Sequence, residues 1–138
     1  MNKTEIMAFV KANPICCLAT VEGDKPHVRA LGLYRADENG IILQSDKRKD
    51  LYKQLVKNPE AEICFCDTRN FVEVRVSGRI EIVEDLALKK EIVDARPFVK
   101  PVVEKMGYDT IAVYRLRNGK ATSWSINEPP APKTYVDL

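Results

Sequence analysis

A chain of 138 residues with 45% hydrophobic side chains can bury one sizeable core but is too short for two ordinary domains, so a single domain over residues 1–138 is expected. Its 22 basic and 20 acidic residues leave a net charge of +2, far from the clustered positive surface that nucleic-acid binding needs. No apolar run approaches the roughly 20 residues of a membrane span, which argues against a membrane protein and for a cytoplasmic one.

In chain order, Thr4 is expected to cap a first helix with Ile6, Phe9 and Val10 on one face, stopped at Asn13-Pro14. The period then changes to that of strands: residues 15–21, 27–35 and 41–45, joined by turns at Glu22-Gly23-Asp24-Lys25-Pro26 and Asp37-Glu38-Asn39-Gly40, read as a three-strand antiparallel meander. A second helix follows over about 47–57, burying Leu51, Tyr52, Leu55 and Val56 and ending at Asn58-Pro59. Residues 61–67 and 71–83 form a hairpin whose longer strand keeps Val72, Val74, Val76, Ile80 and Ile82 on one face. A third helix spans 86–93 and ends at Arg96-Pro97. Residues 109–117 and 120–126 are expected to pair as a hairpin across Asn118-Gly119, and a proline-rich tail closes the chain. About seven strands, three short helices and no regular βαβ alternation predict a mainly β fold, an antiparallel barrel with peripheral helices.

The four cysteines, Cys16-Cys17 and Cys64-x-Cys66, lie inside apolar runs and lack the two-residue gap of zinc knuckles, and His27 is the only histidine. They read as small buried hydrophobes in a reducing compartment, with no metal site.

The stretch Gln44-Ser45-Asp46-Lys47-Arg48-Lys49 sits where the third strand gives way to the second helix. Three cations at a helix N-terminus are locally unfavourable, and an anion reverses that: a phosphate on Ser45 and the free amides, closed over by Lys47, Arg48 or Lys49, gains charge-assisted hydrogen bonds. The alternative is a solvated basic turn. Arg29 stands in a strand that is apolar on both faces, and its guanidinium must meet a carboxylate, the rim or a bound anion. Gly32 would let a flat ligand approach the backbone. Trp124, the sole tryptophan, reads equally as core or as a ligand contact. No Ser-His-Asp set is supported by the spacing, and no residue is assigned as acid or base: His27 is not convincingly placed, and Tyr34 and Tyr114 are no more than candidates.

These motifs fall in one order: a helix, Cys17-Leu18-Ala19-Thr20-Val21, Lys25-Pro26-His27-Val28-Arg29, the Ser-and-Lys turn, Leu55-Val56-Lys57-Asn58-Pro59, then Val76-Ser77-Gly78-Arg79. Over nearly the whole chain that order resembles the FMN-binding split barrels similar to pyridoxamine 5'-phosphate oxidase. Asp50-Leu51-Tyr52-Lys53-Gln54-Leu55 and Ser125-Ile126-Asn127-Glu128-Pro129-Pro130 most resemble its nitroimidazole-resistance (Nim-like) branch. The resemblance implies an antiparallel Greek-key split barrel and a homodimer with two FMN sites at the subunit interface. It places Arg29 and Lys49 on the phosphate, Gln44 and Ser45 along the ribityl chain or phosphate, Ala30 and Leu31 beside the cofactor, and Trp124 near the ring from the partner subunit. In many members the phosphate-binding lysine falls where Leu51 stands here, so the choice among Lys47, Arg48 and Lys49 stays open. The implied activity is a flavin-dependent oxidoreductase taking hydride from a nicotinamide and reducing a small oxidised substrate such as a nitroaromatic. The alternative is a non-catalytic protein that holds flavin, haem or a deazaflavin.

Overall fold

A computed structural model describes residues 1–138. The first helix, α1 (Lys3–Ala12), starts two residues earlier than its sequence suggests. Asn2, not Thr4, is the cap: its side chain accepts from the Glu5 amide and the Glu5 carboxylate accepts from the Asn2 amide, a reciprocal capping box.

Strand β1 (Ile15–Glu22) alternates as a half-buried strand must, with Cys16, Leu18 and Thr20 inside and Ile15, Cys17 and Val21 outside. Strand β2 (Lys25–Asp37) is long enough to serve two partners. Its first half pairs with β1 and its second half with β3 (Gly40–Asp46), and the register shifts between Leu33 and Arg35, where the strand bends. The Leu33 amide donates to Pro14 O at 2.7 Å.

The chain then crosses through α2 (Asp50–Lys57) to β4 (Glu60–Asp67), which returns to lie beside β1. The spatial order β4-β1-β2-β3 is a Greek key. Strand β5 (Val72–Ile82) pairs with β4 and with β6 (Ile111–Leu116), and β6 pairs with β3, closing a six-strand antiparallel barrel. Between β5 and β6 lie α3 (Leu86–Ala95), α4 (Lys100–Met106) and two short 3-10 turns (Pro97–Val99 and Tyr108–Thr110). The helix α4 was not legible in the sequence.

The hairpin expected at Asn118-Gly119 does not form. Strand β7 (Lys120–Ser125) pairs with the first half of β5, and β6 pairs with the second half, so both run along β5 one after the other instead of folding back on each other. Asn118 takes a positive φ of 55°, and Gly119 packs where a Cβ would lie 2.5 Å from Leu116 and 2.7 Å from Val76. The dipeptide therefore turns a corner between the barrel and its extension. The end of the tail adds β8 (Val136–Asp137) to β7.

The barrel interior holds Leu18, Leu43, Ile63, Phe65, Val74, Val76 and Tyr114, and α1 and α2 contribute Ile6, Val10, Leu51 and Leu55 to the same cluster. A smaller second core lies outside the barrel wall, where Ile42, Ile111 and Val113 meet Ile92, Val93 and Val99. This explains why β3 and β6 are buried on both faces.

Lys89, 3% exposed, reaches the second core's edge and pairs with Glu84 Oε2 at 2.7 Å, while Glu84 Oε1 accepts from Lys47. These two partners hold the Glu84 carboxyl below its ordinary value of 4.5. Because the folded value is the depressed one, the stabilisation is present above pH 4.5 and is lost as pH falls through the folded value. Glu84→Gln is expected to cost on the order of 1–3 kcal/mol at neutral pH and to flatten the acid limb of stability, read by urea unfolding between neutral and acid pH.

Candidate functional site

Two adjoining cavities open at the junction of β2, β3 and the start of α2. The first, about 520 Å³, is lined by Arg29, Ala30, Leu31, Ser45, Lys49 and Gln54 among others. The second, about 480 Å³, shares Ala30, Leu31, Ser45 and Lys49 and extends past Gln44 to Arg96 and Phe98. The shared walls make them one groove, with a guanidinium at either end.

Arg29 points into the barrel because it sits opposite the buried Leu18 on β1. Its guanidinium donates to Thr20 Oγ1 at 2.8 Å, to Leu18 O at 3.3 Å and to Gln54 Oε1, and all three acceptors are neutral. Burial lowers its affinity for the proton, opposed in smaller measure by Tyr114 and Asp50. A cation in that state is short of negative charge. Ser45 lies on the interior face of β3, only 4% exposed, and its Oγ has no hydrogen-bond partner. A buried hydroxyl without a partner is costly, and one that lines both cavities is placed to meet a ligand.

Of the three cations in the turn, the fold brings only Lys49 to the groove. Lys47 is turned away to Glu84 Oε1 at 2.6 Å and lies over the Tyr52 ring, its amide tied to Thr110 O. Arg48 folds back on Asp46, with Nη2 to Oδ2 at 2.7 Å, and that pair holds the Asp46 carboxyl below its usual range. Helix α2 accordingly begins at Asp50, later than expected, with Lys49 at its cap position making no side-chain cap bond.

Arg96 went unrecognised in the sequence. It follows the last residue of α3, and its guanidinium donates to Leu33 O at 2.8 Å, Gly32 O at 3.4 Å and Gln44 Oε1 at 3.2 Å, again without a carboxylate. It stacks 5.4 Å from the Tyr34 ring centre, and burial lowers its proton affinity as it does for Arg29. Arg96-Pro97 read only as a helix stop. Its sole sequence sign was a cation beside an apolar segment.

The remaining expectations separate. Trp124 is not in the groove: it stands on the outer face of β7 opposite Glu73, 47% exposed, and is not core. His27 lines the first cavity at its rim, 3.4 Å from Glu22. The Tyr34 hydroxyl is committed to Glu91 at 2.6 Å, while Tyr114 is fully buried with its hydroxyl unpartnered, and burial pushes its pKa well up. Of the four cysteines, only Cys16 is buried, while Cys64 is half-buried and Cys17 and Cys66 are exposed. The apolar runs that suggested core alternate across a strand, so every second residue faces out.

Comparison with known proteins places this chain in a family. The Pseudomonas putida pyridoxine/pyridoxamine 5'-phosphate oxidase is 35% identical over 106 residues, which is 76% of this chain and 46% of that protein. The chain thus spans about half the length of that relative. A NimC/NimA family protein from Clostridium acetobutylicum superposes with a TM-score of 0.77 at 25% identity, covering 98% of this chain and 91% of the other. A pyridoxamine 5'-phosphate oxidase-related, FMN binding protein from Nostoc punctiforme shares the fold with a TM-score of 0.66 at 15% identity, covering 95% and 88%. The family model for pyridoxamine 5'-phosphate oxidase matches residues 3–120, which include all six barrel strands, and the chain belongs to that family.

Proposed function

We propose that the groove holds FMN, its phosphate between Arg29 and Lys49 with Ser45 Oγ donating to it, and that the protein is a flavin-dependent oxidoreductase. One observation carries this reading: a single cavity joins a desolvated guanidinium that has only neutral partners to a buried hydroxyl that has none. A phosphate satisfies both at once. The Nostoc punctiforme relative, described as FMN binding, and the family itself support the choice of cofactor.

When bound, flavin would supply the hydride and electron transfer. The chain's own part is to anchor and orient. Arg29 is braced by Thr20 and Gln54, so its fork is fixed before a ligand arrives. Ala30 and Leu31 floor the groove, and Gln44 is held by Arg96 at the far end. We infer a homodimer through the outer face of β1 and β2, where Ile15 is 70% and Val28 69% exposed, with Trp124 offered to the partner's groove. The substrate is a small oxidised molecule, with nitroaromatics the first to screen and a nicotinamide as donor.

A second reading, flavin binding without turnover, is favoured by one feature: neither tyrosine considered as a proton donor is free to act, Tyr34 being tied to Glu91 and Tyr114 sealed in the core. The visible spectrum of the purified protein, taken after FMN addition and gel filtration, tests both. About one retained flavin per chain is expected, bleached by NADH or NADPH under anaerobic conditions. No retained flavin overturns the proposal, and retained flavin that no nicotinamide bleaches selects the second reading.

Lys49→Ala is expected to weaken FMN binding by roughly 5–10-fold, the share of one exposed charge-assisted contact, whereas Lys47→Ala leaves FMN affinity unchanged because Lys47 serves Glu84. Fluorescence titration of FMN with the two variants makes the comparison.

A further inference from the structure

We propose that Cys64, Cys66 and Glu73 form a site for a soft divalent cation of the zinc class on the outer face of β4 and β5, beside the β1 strand that the proposed dimer covers. Sequence spacing alone argues against a metal here, because Cys64-x-Cys66 is not a zinc knuckle. The fold supplies what the spacing lacks. Cys64 and Cys66, two apart on β4, share one face, Glu73 of β5 stands directly opposite Cys66, and Cys17 of β1 stands directly opposite Cys64. Three ligand-bearing residues from two adjacent strands therefore converge, with Cys17 on the next strand.

The distances match the metal's own geometry. With a Zn–S bond of about 2.3 Å and a Zn–O bond of about 2.0 Å, a tetrahedral site has ligand–ligand edges of roughly 3.5–3.8 Å. Cys64 Sγ lies 3.5 Å from Cys66 Sγ and 3.8 Å from Glu73 Oε2, and the three ligand atoms all fall within 4.8 Å of one another. Cys17 stands opposite Cys64 but outside this group, so the fourth position of a tetrahedral ion is left to solvent.

The surroundings are those of a ligand set. Arg75 Nε lies between two carboxylates, 3.3 Å from Glu62 Oε1 and 3.6 Å from Glu73 Oε1, the oxygen that does not face Cys64. A disulfide is a poor competitor between Cys64 and Cys66, because residues two apart on an extended strand have Cα atoms about 6.6 Å apart, at the edge of what a bridge spans.

Cobalt(II) titration of the full chain under a phosphine reductant tests the site, since tetrahedral thiolate-bound cobalt absorbs in the red, beyond flavin. The expected result is an intense red band saturating at one cobalt per chain, displaced by zinc, and weakened about 10-fold or more in Glu73→Gln. The band should vanish in Cys66→Ser, an exposed position whose change leaves the core intact. A weak octahedral cobalt spectrum in the native chain, or a tetrahedral band that persists in Cys66→Ser, overturns the assignment.

Discussion

Replacing Arg29 with Ala is expected to weaken FMN binding on the order of 100-fold, the equivalent of about 2–3 kcal/mol for a charge-assisted, partly desolvated contact. The effect is larger than at Lys49 because of where the two cations sit. Lys49 is exposed and competes with water, whereas Arg29 lies against the buried Thr20 and Gln54. Arg29→Lys should recover only part of the loss, since an ammonium cannot keep Thr20, Gln54 and a phosphate at once. Isothermal titration with FMN, set beside riboflavin, locates the effect. The two variants should differ from the native chain with FMN and converge on it with riboflavin, which has no phosphate. An Arg29→Ala protein that binds FMN as tightly as the native chain removes the phosphate assignment.

Gly119→Ala is expected to destabilise the fold by roughly 1–3 kcal/mol, a fall in Tm on the order of 5–10 °C, with the slope of denaturant unfolding unchanged. The added Cβ would lie 2.5 Å from Leu116 Cδ2 and 2.7 Å from Val76 Cγ1, inside any real contact, and Leu116 and Val76 both belong to the barrel interior. Relief requires the corner to move away from β5, loosening the Leu138 amide from Gly119 O and with it the last pairing of the tail. Thermal melting by circular dichroism gives the answer, and a variant as stable as the native chain would show that the corner has slack.

How far the sequence could be read follows from which interactions are local. The alternation in β1 and the even-numbered apolar face of β5 needed no partner to be legible, and the meander of the first three strands followed from its two turns. The Asn118-Gly119 corner was misread because a positive φ at Asn118 serves a hairpin and a corner alike, and only the position of β5 distinguishes them. The same limit applied to the candidate site. Arg29 stood out as a cation in an apolar strand, but the choice among Lys47, Arg48 and Lys49 turns on Glu84, nearly forty residues away. Arg96 reaches the groove through backbone carbonyls of Gly32 and Leu33, contacts that no spacing rule encodes.

Strand β5 is bonded to three others, to β4 along its length and to β6 and β7 over its two halves. Neither the barrel nor its extension can open without breaking pairings on which the other depends. The fold has no hinge along that strand, so the barrel that carries the open groove on β2 and β3 acts as a fixed anvil.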